Sequence, residues 1–169
     1  PGLSACIVNS GAVAWCNGYG FANLETGQTV TSTTPFMLAS ISKTVTGVAL
    51  LQVVSDGLLS LDDPINDHLG FPVHHPTDST PITARMLLGH TSGIDDNWGV
   101  MNAMIVNGDS PLALGDFMEG YLTSDGQWYD ADRNFVSNGV VAVKEYSNVG
   151  AALAGHLVEA VTGEDFAAY

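Results

Sequence analysis

The chain has 169 residues, 46% of them hydrophobic, and carries 18 acidic against 4 basic side chains, a formal net charge of −14. That size buries one good core, and the excess of carboxylates repels phosphate backbones and anionic bilayers, which argues against nucleic acid or an anionic membrane as partner. The longest apolar run, Val48 to Val54, is broken by Gln52 and falls well short of a membrane span.

From Leu3 to Ala22 the pattern predicts two strands joined at the "NSGA" turn, an antiparallel meander, with a further turn at Thr26-Gly27 and strands over about 3–30. Cys6 and Cys16 flank the hairpin turn; they form a disulfide if the register sets them face to face, and otherwise are two buried free thiols. Between Ser40 and Ser55 the apolar residues Val45, Val48, Ala49, Leu50, Leu51, Val53 and Val54 fall nearly all round a helix. This predicts a central helix over about 40–56, stopped at Asp56-Gly57 and covered on most sides. Two proline-rich stretches, "LSLDDPINDHL" and "GFPVHHPTDSTP", read as loops. Thr83 is placed to cap a short helix, "ARMLLGH", and Asp109-Ser110-Pro111 to start another that runs to about Leu122. "TSDGQWYDADRNFVSNG" reads as an irregular excursion, with Ser124 to Gly126 a turn after that helix. Asn148 then precedes a second apolar helix ended by Thr162-Gly163, and the residues up to Tyr169 read as the start of one more. Strands at the front and a helical region over about 82–169 make the fold class α+β.

Ser40 and Lys43 are the sharpest chemical signal. Residues three apart on a helix share a face, so the hydroxyl and the amine lie side by side. A helix N-terminus favours a serine alkoxide and the oxyanion of a tetrahedral intermediate, and an amine in apolar surroundings can take the hydroxyl proton. The plain alternative is a capping serine and a lysine reaching to water.

Three stretches together widen that signal: "TTPFMLASISKTVTGVALLQVVSDGLLSLDDPINDHL", "ITARMLLGHTSGI" and "YSNVGAALAGHLVEAVTG". In this order they resemble the serine β-lactamase and penicillin-binding-protein superfamily, in the branch of class C β-lactamases, D-Ala-D-Ala carboxypeptidases and related esterases. The resemblance implies a β-lactamase/transpeptidase-like fold and acyl transfer through a serine ester, with Ser40 as nucleophile and Lys43 as its amine partner. It implies that Tyr146 shares or relays protons with the lysine and that Asn148 positions the lysine and the substrate carbonyl. It also implies an acyl substrate, either a peptide or a small molecule, a periplasmic or secreted location, and no cofactor. A non-catalytic penicillin-binding or sensor module, acylated without turnover, is the rival reading. Outside the resemblance, Tyr146 is simply a core tyrosine and Asn148 a helix cap.

His90 in "GHTSG" does not fit a nucleophile elbow, because Ser92 directly precedes Gly93, so both are expected to be hydrogen-bonded loop residues. His68, His74 and His75 lack a metal-ligand spacing and are expected to be solvated, with no metal site. The superfamily's third motif, a Lys/His-Ser/Thr-x-Gly strand, has no counterpart in the chain, which is therefore expected to be the N-terminal portion (1–169) of one serine-hydrolase domain. Its sheet would be completed by a C-terminal segment or by a second copy. The superfamily's Pro-Gly shortly before Tyr-x-Asn is replaced here by Asn138-Gly139.

Overall fold

A computed structural model describes residues 1–169, in two compact units, Pro1–Ala39 and Ser40–Tyr169. The first is an antiparallel sheet of β1 (Gly2–Asn9), β2 (Ala12–Asn23) and β3 (Gln28–Thr29), in that order. The first turn falls at Ser10-Gly11, both left-handed, which is the backbone that a tight hairpin requires. Ile7 pairs with Trp15 and Cys6 with Cys16, with the register slipping by one residue beyond Ile7. That register joins the two cysteines in a disulfide, and the expectation of free thiols falls away.

The second unit is helical: α1 (Ser42–Ser55), α2 (Ala84–Gly89), α3 (Trp98–Ala103), α4 (Leu114–Leu122) and α5 (Asn148–Thr162). Its core gathers Leu50 and Val53 of α1, Leu87 of α2, Met118, Tyr121 and Leu122 of α4, and Val149, Leu153, Leu157 and Val158 of α5, all at most 2% exposed. Removing that much apolar surface from water holds the helices together without help from sequence-local propensity. Thr83 caps α2 by accepting from the Met86 N–H, and Gly57 and Gly163 end α1 and α5 in left-handed conformation, as the sequence predicts.

Four expectations are corrected. The central helix is not covered on most sides: Val45, Val48 and Leu51 are 59%, 53% and 48% exposed, while only Ala49, Leu50 and Val53 are buried. Its α-helical part begins at Ser42, with Ser40 in a preceding 3-10 turn, Ala39–Ile41, entered through a left-handed Ala39. The helix predicted from Asp109 begins at Leu114, because Ser110 Oγ accepts from the Leu112 N–H and closes a local turn. Nothing apolar in "NGDS" rewards continuing the helix backwards, so the side-chain bond wins. The chain after Gly163 is not a helix but a bend at Glu164 and a turn over 166–168, in which the Glu159 carboxylate accepts the Phe166 N–H and draws Phe166 back onto α5 at Gly155.

Candidate active site

Ser40, Lys43, Tyr146 and Asn148 come together in the helical unit. The Tyr146 hydroxyl donates to Ser40 Oγ at 2.7 Å, and Lys43 Nζ donates to Asn148 Oδ1 at 2.6 Å. The same Nζ stands 4.8 Å from the centre of the Tyr146 ring, over its electron-rich face. Ser40 and Tyr146 are exposed, whereas Lys43 and Asn148 are half-buried. The lysine lies one turn after the serine because α1 follows the 3-10 turn without a break. The other two groups sit at the start of α5, Tyr146 two residues before it and Asn148 as its first residue.

Charge follows from this geometry. The Lys43 amine beside it and the hydrogen bond with Ser40 hold the Tyr146 phenol below the ordinary tyrosine value, against a small opposing push from burial. Both influences stabilise the charged form of the phenol relative to a tyrosine in water.

Two further residues at the site carried no such role in the sequence reading. Asp96, in the loop between α2 and α3, accepts from the backbone N–H of Asn148 at 2.8 Å and of Val149 at 3.0 Å, and from Asn148 Nδ2 at 2.6 Å. A carboxylate on the first turn of α5 complements the helix dipole and the unpaired N–H groups there. The Ser147 side chain is the helix cap, accepting from the Gly150 N–H, so Asn148 is free to use its amide elsewhere. His90 packs its ring against Tyr146 at 4.7 Å between centroids, and its Nδ1 accepts the Ser147 N–H. Burial first, then repulsion from Lys144 and Lys43, lowers the His90 pKa. Its partner in the "HTSG" loop, Ser92, is buried and accepts from the Ile94 N–H, as expected of a loop residue.

The three histidines of the proline-rich stretches divide. His74 is exposed, and His68 faces Asp63 at 3.4 Å. His75 departs from the expectation: it is 5% exposed, with Nε2 against the Val136 carbonyl at 2.8 Å, because the loop from Phe71 packs its alternate residues Phe71, Val73 and His75 inward.

With this constellation in place, the whole chain, residues 1–169, matches the family model "Beta-lactamase". The chain belongs to the beta-lactamase family. Among curated relatives it is similar to Protein flp of Staphylococcus aureus, 27% identical over 173 residues, a match covering all of this chain and 32% of that protein. Among solved structures it is similar to the octameric penicillin-binding protein homologue from Pyrococcus abyssi, at 29% identity and a TM-score of 0.73, over 100% of this chain and 37% of that one. It is also similar to the D-amino acid amidase from Ochrobactrum anthropi SV3, at 25% identity and a TM-score of 0.71, over 98% of this chain and 42% of that one. This family member therefore has the β-lactamase/transpeptidase-like fold, of mixed helix and antiparallel sheet, and spans about a third of the length of the curated relatives it matches.

Proposed function

We propose that the chain carries the acylating centre of a serine hydrolase acting on a D-alanyl peptide, a β-lactam or a small ester. The observation that carries this reading is the contact of Ser40 Oγ with the Tyr146 hydroxyl, on a phenol that Lys43 holds below its ordinary pKa.

The chemistry runs as follows. In its phenolate form, to which the Ser40 hydroxyl donates instead, Tyr146 takes the Ser40 proton while Oγ forms a bond to the substrate's carbonyl carbon and the carbonyl electron pair moves onto oxygen. The first N–H groups of α1, which no side chain caps, lie next to Ser40 in sequence and suit the developing oxyanion. Collapse of the tetrahedral species breaks the bond to the leaving group, which receives the proton from Tyr146. Water then repeats the sequence on the acyl-serine and frees the acid. The Lys43 amine beside the ring stabilises the phenolate, and Asn148 keeps the lysine in place through Oδ1 and offers its second Nδ2 proton to the substrate carbonyl.

Incubation with a fluorophosphonate and, separately, with a penicillin, followed by peptide mass spectrometry, tests the assignment. An adduct on the Ser40 peptide that is absent from Ser40→Ala is expected, and turnover of a chromogenic ester or β-lactam extends it to hydrolysis. A stable adduct without turnover would instead mark a binding module, and no adduct from either reagent would remove the proposal. The Cys6–Cys16 disulfide supports an oxidising compartment such as the periplasm or the exterior.

A further inference from the structure

Asn148 can present either its oxygen or its NH₂ to Lys43, and the two orientations fill the same space. Only one is useful: an ammonium donates and cannot accept, so it requires Oδ1. On the far side of the amide stands Asp96. Its Oδ2 lies 2.6 Å from Asn148 Nδ2, and an ionised carboxylate accepts and cannot donate. The two ends of the amide are thus tied to groups of opposite kind, and the acidic end decides which way it faces.

We propose that Asp96 is a positioning residue: its carboxylate fixes the orientation of the Asn148 amide, and through it holds the Lys43 amine at the Ser40–Tyr146 pair. The proposal rests on the serine-hydrolase reading for its purpose, though not for its geometry.

Asp96 is itself held from the core. On one side, Asp95 donates its N–H to the Asn134 carbonyl at 2.8 Å and accepts from the Tyr121 hydroxyl at its own carbonyl at 2.9 Å. On the other, the Asn97 N–H donates to the same Tyr121 oxygen at 2.6 Å, and Asn97 Nδ2 donates to Asn134 Oδ1 at 3.0 Å. Tyr121 and Asn134 are both fully buried. The loop carrying Asp96 is therefore pinned on both flanks, and the carboxylate spans from it to the backbone N–H groups of Asn148 and Val149 and to the Ser147 hydroxyl at 3.3 Å. A group fixed by its own neighbours can orient another; a mobile surface aspartate could not.

The titration of Tyr146 distinguishes this role from two others. The largest influence lowering the Tyr146 pKa is its contact with Lys43, and the negative charge of Asp96 acts weakly in the opposite direction. In Asp96→Asn, an acceptor-only group becomes one that can face Nδ2 with its own NH₂, so the Asn148 amide turns and the amine is released. If Asp96 positions Lys43, the Tyr146 pKa rises. If Asp96 acts only as a charge, it falls, and if Asp96 only caps α5, it does not move.

The experiment is ¹³Cζ-tyrosine NMR titration of the wild type and Asp96→Asn, with Tyr146→Phe to assign the signal. Leu153→Ala serves as a control that weakens the packing of α5 without removing a hydrogen bond to Asp96 or to the Asn148 amide. A rise in Asp96→Asn alone is expected, together with a loss of about 10–10²-fold in the rate of adduct formation on Ser40. A fall, or no change, overturns the proposal. If Asp96→Asn does not fold, the wild type still decides: one Asn148 Nδ2 proton should be shifted downfield and protected from exchange, and an ordinary, freely exchanging amide would overturn the assignment. Should the wild type take no adduct, the hydrolase reading fails by itself, and the titration still reports on Asp96.

Discussion

The two helix starts that build the site are made differently. At the start of α5, Ser147 caps the first turn, Asp96 binds its N–H groups, and Val149 and Gly150 are buried. At the start of α1, Ile41 offers no capping side chain, the preceding Ala39 is left-handed, and nothing is buried until Ala49. The half that holds Tyr146 and Asn148 is tied down by hydrogen bonds and burial, while the half that presents Ser40 and Lys43 is mostly exposed. The proposed acylation would use this division, because a nucleophile must meet its substrate while the groups that tune it stay fixed.

Removing the coupling between the halves should have the largest effect. Lys43→Met is expected to slow adduct formation on Ser40 by about 10²–10⁴-fold, read by timed mass spectrometry, with little change in the unfolding midpoint. Tyr146→Phe should fall in the same range and also lose the rise in rate as pH passes upward through the depressed phenol pKa. A normal rate in either variant would separate the two helix starts functionally.

Stability should divide along the faces of the helices. Leu153→Ala, at a site with no exposure, is expected to cost about 2–5 kcal/mol in urea unfolding. Val48→Ala, on the open face of α1, should stay within about 0.5 kcal/mol. Equal costs would mean that the open face is covered. Ser147→Ala removes the cap that α1 lacks and should cost about 0.5–2 kcal/mol by the same measurement.

The smallest effect is that of pH. His90 has a folded pKa below its ordinary value of 6.5, so in the window between the two the unfolded chain binds more protons. Its contribution is complete above that ordinary value and is lost as pH falls through the folded one. His90→Gln should flatten this part of the stability profile, and an unchanged slope would show that the histidine is not the cause.

The elements visible in the sequence were those whose signals are local. Thr83 as a cap, the stops at Gly57 and Gly163, and the spacing from Ser40 to Lys43 all depend on neighbours within a turn. Ser110 was a true local signal with a different outcome, since its hydroxyl does bind a nearby N–H but closes a turn. Which faces of the apolar helix at 42–55 are covered could not be read from a pattern that is apolar all round. Asp96 was illegible for another reason. It follows a second aspartate, and nothing in "GIDDN" tells the two apart; only the folded loop turns Asp95 Oδ1 toward the Asp96 N–H and sends the Asp96 carboxylate to α5.

Tyr121 carries a consequence for spectroscopy. Burial pushes its phenol far above the ordinary range, so it stays an un-ionised donor in alkali that converts Tyr146 to phenolate. The two phenols are shifted in opposite directions from the ordinary tyrosine value. The absorbance of the wild type minus that of Tyr146→Phe in rising alkali should therefore isolate ionisation at the cleft, and the wild type minus Tyr121→Phe should change only once the native structure gives way, which distinguishes the cleft from collapse of the scaffold.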